Sequence, residues 1–341
     1  MRYIGCDAHI ASCTLHVIDR EGKTLDWRTM ETNGAKLVSY LRGIPGEKKL
    51  AIEETNLSRW LHSILSKEVD EMIVSNPVRN RLLEQGPKTD RVDAHKLAEL
   101  LRGGFLQSVF HGGDSREELR DLVSGYLDLT QDFVRLKNRY KALFRSQGIL
   151  KKGSTVYEDE SFLKELGNGP KHFVGEKVFE RIRAMESQRL LFVQEMKRQE
   201  KRFPEIRFLK TIPGIKTIQA CKIVAMVVTP DRFPNKYKFF SYCGLASHLC
   251  ESGGKDYGKR KGWGNPILKS VFRTAGRTVL RGETSLRRNY DRLRSKGVSH
   301  DDAYNATCRK IAGLALALWK KKERYNDHLK ITDKKVQPQG E

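Results

Sequence analysis

Residues 2–31 read RYIGCDAHIASCTLHVIDREGKTLDWRTME, a strand followed by a hairpin. Residues 2–6 form a short apolar strand that ends at Asp7. Residues 13–19 alternate apolar and polar, residues 20–23 (Arg-Glu-Gly-Lys) turn the chain, and residues 24–31 return as the second arm of a hairpin. Working outward, the spacing predicts a helix over 34–42 with Leu37, Tyr40 and Leu41 inward, then a strand over 49–53. A helix over 57–67 and a strand over 71–75, ahead of Asn76-Pro77, come next, and a helix over 88–101 closes the unit. The order β-β-β-α-β-α-β followed by a helix is that of a ribonuclease-H-like α/β fold.

From Leu119 the pattern changes. Leu119, Leu122, Tyr126, Leu129, Phe133, Leu136, Tyr140 and Leu143 recur in steps of three and four, a heptad seam. A weaker run follows through Val178, Ile182, Met185, Phe192, Met196 and Phe203, broken at Arg189 and Gln199. Residues 151–170 between them read as a loop or hairpin tip. An intramolecular antiparallel pair and a dimerisation arm both fit these seams. Residues 205–320 form a mostly helical unit. The expected division is 1–110 as the α/β domain, 111–204 as coiled-coil helices, 205–330 as an all-α C-terminal domain and 331–341 as a disordered basic tail.

Composition narrows the function. The chain has 341 residues, 64 Lys+Arg against 42 Asp+Glu, and a net charge of +22. Hydrophobic content is 38%, but 14 Phe, 11 Tyr and 4 Trp exclude a disordered polycation. The longest uncharged apolar run, residues 311–319, is far too short for a membrane span. The N-terminus runs straight into a strand with no leader pattern, so a cytoplasmic, nucleoid-associated protein is expected. Six cysteines without a Cys-x-x-Cys pair argue against zinc and against a disulfide framework, and point to buried thiols. Residues 1–110 carry a net +1, whereas residues 111–341 carry +21. Clustered Lys and Arg bind polyanions by releasing counterions, which favours a nucleic-acid partner over an anionic membrane.

Asp7 closes the first strand and Glu53 the fourth. Asp90 and Asp93 share one face of the helix over 88–101 because three residues separate them. Four carboxylates from two strand ends and a helix suit two divalent cations about 3.5–4 Å apart, the arrangement for phosphoryl transfer. Oxygen donors favour magnesium or manganese (Mg2+ or Mn2+). A solvated acidic helix start is the structural alternative, and alternation lets only one of Glu53 and Glu54 face the site. His9 and His95, near the same elements, read as surface or supporting residues.

Ser252 precedes Gly253 and Gly254, with Lys255, Lys259, Arg260 and Lys261 following. A serine on a flexible glycine-rich loop ringed by cations has the means to attack a phosphodiester. A basic loop that only grips phosphate fits the same residues. Ile212-Pro-Gly-Ile-Lys-Thr-Ile resembles a helix-hairpin-helix turn, in which Gly214, Lys216 and the following helix N-terminus would hold a phosphate.

These motifs together resemble the IS-one-ten family of insertion-sequence transposases. The resemblance runs through Asp7 after a strand, Ile-Glu-Glu-Thr at 52–55, Lys-Thr-Asp-Arg-Val-Asp-Ala at 88–94 and the coiled-coil middle. It continues with Ile-Pro-Gly-Ile at 212–215, Phe-x-Ser-Tyr-Cys-Gly-Leu at 239–245 and Glu-Ser-Gly-Gly-Lys at 251–255. It implies a RuvC-like domain whose DEDD carboxylates, Asp7, Glu53, Asp90 and Asp93, bind metal, and a transposase domain with Ser252 as nucleophile. It further implies a 5′-phosphoserine link to DNA, and a structured non-coding bridge RNA that pairs with donor and target DNA. The implied assembly is a dimer building to a tetramer, in which carboxylates and serine come from different subunits. The sequence departs from the family pattern in having Gly262-Trp-Gly-Asn265 and Leu268-Lys269 where Lys-x-Gly-Asn and Leu-Arg are usual. Glu54 and Asn56 stand where Ala and Gly are common. Rival readings are a DNA invertase of the same architecture (Piv-type), a metal-only nuclease or junction resolvase, and a non-catalytic nucleic-acid scaffold.

Overall fold

The computed structural model describes residues 1–76, 89–110, 116–262 and 264–327. The tail at 331–341, Pro77 and Lys88 lie outside the described residues. The chain divides into two compact units, Met1–Gly113 and Asp114–Glu341.

The first unit is built on a five-stranded sheet. Its strands are β1 (Arg2–Ala8), β2 (Ser12–Ile18), β3 (Thr24–Glu31), β4 (Lys48–Glu53) and β5 (Glu71–Ser75), in the order β3-β2-β1-β4-β5. The hairpin strands pair antiparallel, while β4 and β5 run parallel to β1. This is the expected ribonuclease-H-like order. Helices α1 (Gly34–Gly43) and α2 (Ser58–Leu65) cover one face, and α3 (Asp90–Arg102) covers the other. Strand alternation sorts the residues. Ile4, Cys6, Leu50 and Ile52 bury against Leu37 and Leu41 of α1 and Leu61 and Leu65 of α2. Ala51 turns the opposite way and packs with Leu97 and Leu101 of α3. Tyr40, expected inside, is half-buried because its hydroxyl reaches Asp26 on β3 at 2.9 Å.

The second unit begins with α4 (Arg116–Arg145) and α5 (Pro170–Arg198). The start of α4 packs near the end of α5, around Tyr126 and Met196, and the end of α4 packs near the start of α5, around Tyr140 and Phe179. The two seams therefore form an intramolecular antiparallel pair. The buried stripe departs from a strict heptad. Val123 and Phe144 are buried, while Leu122, Leu129 and Leu143 are half-buried. A helix of 3.6 residues per turn drifts against a seven-residue repeat, and α4 also packs against the later helix Thr217–Val227. Arg189, which interrupts the seam, lays its guanidinium 4.9 Å over the Phe133 ring. Residues 151–170, read as a loop, contain two 3-10 turns whose Val156, Tyr157, Leu163 and Leu166 close the far end of the pair.

Beyond α5 come α6 (Glu205–Leu209), α7 (Thr217–Val227), α8 (Lys236–Tyr242), the hairpin β6 (Ser247–Ser252) and β7 (Lys255–Lys261), then α9 (Pro266–Val279), α10 (Ser285–Ser295) and α11 (His300–Lys321). The apolar run at 311–319 lies in α11 and fills the core with Ile223, Val224, Phe239 and Phe272. Among the described residues no helix is long and apolar enough to cross a membrane. Cys6, Cys13, Cys221, Cys243 and Cys308 are buried free thiols.

Candidate active site

The acidic site is set by one glycine. A Cβ on Gly5 would lie 2.6 Å from the Ala98 amide nitrogen and closer still to the Ala94 carbonyl oxygen. Only a residue without a side chain lets the α3 backbone rest directly on β1. That contact brings the first turn of α3 to the C-terminal end of β1. Thr89 caps the helix by accepting from the Val92 amide at 3.3 Å, which starts the helix at Asp90. Asp90 and Asp93 occupy the first turn, where the positive end of the helix dipole favours carboxylates.

Asp7, two residues beyond Gly5, shares its sheet face. His9 Nε2 donates to Asp7 Oδ2 at 3.2 Å and stands 3.9 Å from Asp90 Oδ1. One donor atom from each of Asp7, His9 and Asp90 lies within 4.8 Å of the others. Burial raises the Asp7 carboxyl above its ordinary range; His9 opposes this, and the charges of Asp90 and Asp93 add to the rise. Acidic neighbours that hinder the ionisation of Asp7 make a site a divalent cation would relieve. The donor set, hard oxygens with one imidazole beside them, fits magnesium or manganese.

Cys6 pairs with Ile52 across the parallel β1 and β4, so Asp7 and Glu53 follow side by side at the ends of neighbouring strands. Glu53 shares the α3 face with Ala51, two residues before it, and Glu54 lies beyond the strand. Carboxyl ends of parallel strands are where open α/β sheets place their sites. His9, read from sequence as a supporting residue, stands within a donor set with Asp7 and Asp90. Its one signal was its position two residues past Asp7, an alternation that holds only if the extended chain continues beyond the strand.

Ser252 belongs to the other unit. It is the last residue of β6, paired with Lys255, and Gly253 and Gly254 have φ of 57° and 74°. Two left-handed residues between paired strands are the requirement of a tight two-residue hairpin turn. The segment expected as a flexible loop is thus a strand end at a hairpin tip. The register shifts between Leu249 and Glu251, and Gly258, at φ 80°, sits in the resulting bulge of β7. Lys259, Arg260 and Lys261 lie on β7, paired with Leu249, His248 and Ser247. The base of the hairpin is clamped: a Cβ on Gly264 would lie 2.5 Å from the Gly244 Cα and 2.7 Å from the Ser241 carbonyl oxygen. Asn265 donates its backbone N–H to the Tyr242 carbonyl at 2.7 Å and caps α9 through its side chain. Sequence reasoning missed Gly244, Gly264 and Asn265 as positioning residues, although each stands in a motif it quoted.

Gly214 has φ 84°, and a Cβ there would lie 2.5 Å from the Ala275 carbonyl oxygen of α9. Its geometry serves helix packing. Lys216, exposed, precedes α7, and its amide donates to Gln219 Oε1 at 3.2 Å.

The fold and the carboxylate site define a ribonuclease-H-like nucleic-acid enzyme joined to a helical unit that carries a basic hairpin. Two family models match this chain. Residues 4–147 match a DEDD-type IS110 model described as "Transposase", and residues 206–291 match one described as "Transposase IS116/IS110/IS902 family". The chain belongs to the IS110 family of transposases, the IS-one-ten family that its motifs resemble. No curated protein matches it. A DEDD transposase domain implies DNA as substrate and a divalent metal in its use.

Proposed function

We propose that the protein is a metal-dependent DNA recombinase that cuts and rejoins strands through a covalent serine–DNA intermediate. The observation that carries the metal half is the convergence of Asp7, His9 and Asp90 at the end of β1. Asp7, Glu53, Asp90 and Asp93 would hold Mg2+ or Mn2+, which supplies charge neutralisation at the scissile phosphate. Ser252 Oγ attacks phosphorus, the Oγ–P bond forms, the P–O3′ bond breaks, and the 3′ oxygen leaves as a hydroxyl bearing the serine proton. Lys255, exposed at the hairpin tip, with Lys259, Arg260 and Lys261, would offset the charge of the phosphorane. Gly214 and Lys216 would contribute a phosphate contact beside α7.

The four-part division at 110, 204 and 330 is the functional layout of this reading. The net +21 of residues 111–341 supports binding of donor DNA, target DNA and a structured guide RNA. Val134, Phe173, Val174, Leu190 and Leu191 are exposed on α4 and α5, which supports a homodimer and a tetramer built through these helices. A nucleoid location follows from such partners. An invertase of the same architecture would use the same chemistry.

The test incubates the protein with Mg2+, its element's flanking RNA and labelled donor and target DNA, followed by denaturing gels. A protein–DNA adduct lost in both Ser252→Ala and Asp90→Asn is the expected result. Cleavage that persists in Ser252→Ala without adduct would overturn the covalent mechanism in favour of a metal-only nuclease. Loss of no activity in Asp90→Asn would overturn the metal site.

A further inference from the structure

Trp27 is an indole on β3, an edge strand of the sheet, and it is 41% exposed. Cross-strand pairing fixes where it points. Gly5 pairs with His16 and His16 with Trp27, while Asp7 pairs with Thr14 and Thr14 with Thr29. Directly paired residues share a face, so Trp27 lies on the α3 face with Asp7. It is two residues back along the strands and two strands across. With about 3.3 Å per residue and about 4.8 Å per strand, the separation is roughly 12 Å. That spans about three to four nucleotides even at the 3.4 Å rise of a duplex strand.

Arg91 follows Asp90 on α3. Its guanidinium lies 4.2 Å over the Trp27 ring. Among the described residues Arg91 forms no ion pair, although Asp90 and Asp93 are its near neighbours in the chain. A guanidinium turned into the carboxylate cluster would neutralise it and compete with a metal ion. Here the cation is held at the rim, against an aromatic face, rather than within the carboxylate cluster. An exposed indole with a guanidinium stacked on it offers a π surface to a base and a positive charge to the adjoining phosphate. On this face His16 is buried and bonded to Thr24, and Thr29 is bonded to Thr14.

We propose that Trp27 and Arg91 form a seat for an unpaired base of the DNA strand whose phosphate enters the carboxylate cluster. Trp27 stacks on the base and Arg91 pairs with the backbone phosphate beside it, fixing the strand's approach to Asp7 and Asp90. The seat rests on the reading of the carboxylates as the strand-cutting site. Both residues are positioning residues, since neither touches the reacting phosphorus.

The test measures binding of the full-length protein to three labelled single strands by fluorescence anisotropy: oligothymidylate, the same sugar-phosphate backbone without bases, and oligouridylate. Trp27→Ala should weaken oligothymidylate binding about tenfold or more, the scale of one lost base stack, and leave the abasic strand unchanged. Trp27→Phe should recover most of the loss, and Arg91→Gln should weaken both DNA probes. An equal loss on abasic and base-bearing DNA, no loss at all, or a loss confined to oligouridylate would each overturn the seat. Strand cleavage by Asp90→Asn, run in parallel, separates the two ideas. Cleavage kept there sinks the cutting site, whereas cleavage abolished there with Trp27→Ala binding unchanged sinks only the seat.

Discussion

Replacing Gly5 by alanine should damage the acidic site without touching any of its ligands. The added methyl would start 2.6 Å from the Ala98 nitrogen and nearer to the Ala94 carbonyl oxygen. Comfortable carbon contacts lie at about 3.5 Å or more, so α3 must lift from β1 by about 1 Å. Overpacking of this kind costs about 1–3 kcal/mol, and lifting α3 also loosens Leu97 and Leu101 from Ala51. The displaced helix carries Asp90 and Asp93 away from Asp7. Metal sites tolerate ligand errors of only about 0.2 Å, so divalent-cation affinity should fall about tenfold or more. Urea denaturation and titration calorimetry with Mn2+ measure the two effects. Gly43→Ala is the control, because a Cβ there meets nothing within 4 Å. If Gly5→Ala loses less than about 0.5 kcal/mol and binds Mn2+ as the wild type does, the argument that this contact builds the site is refuted.

Three further predictions concern other parts of the molecule. Gly264→Ala would collide with the Gly244 backbone at the root of the β6–β7 hairpin. It should abolish the protein–DNA adduct while Mn2+ binding at the first unit persists, and adduct at wild-type yield would count against the clamp. His16 is held at about 4, below its ordinary 6.5, by burial first and then by repulsion from His95 and Arg91. The folded state refuses a proton that the unfolded chain accepts, so this stability is present above pH 6.5 and is lost as pH falls from 6.5 through 4. The loss, up to about 3 kcal/mol, should be visible in pH-dependent denaturation and absent in His16→Gln. Asp327 is held at about 2, below its ordinary 3.8, mainly by the Tyr325 hydroxyl and the Ser285 hydroxyl and amide. Its contribution is present above pH 3.8 and fades as pH falls toward 2. Asp327→Asn should cost about 1–2 kcal/mol at neutral pH, read by thermal melting.

Much of this protein is written locally. The strands of the first unit follow from alternation within a few residues, and helix α3 starts where Thr89 caps it, because side-chain period and capping act over short stretches of chain. The acidic residues Asp7, Asp90 and Asp93 were legible for the same reason, since a strand end and a three-residue helical spacing are local facts. The antiparallel packing of α4 and α5 was left open by their seams, because a heptad states which face is apolar and not which chain covers it.

The α/β-plus-helical architecture, the charge asymmetry and the candidate carboxylates were all readable in the order of the residues. Tertiary structure alone decided that His9 joins Asp7 and Asp90, that the Ser252 segment is a hairpin tip, and that Gly214 serves packing against Ala275. It also decided that Trp27 and Arg91 meet on the face that bears Asp7. Each of these depends on a close approach between residues distant in the chain. Such approaches are fixed by backbone contacts at glycines and by strand register, and neither leaves a periodic signal in the order of the residues.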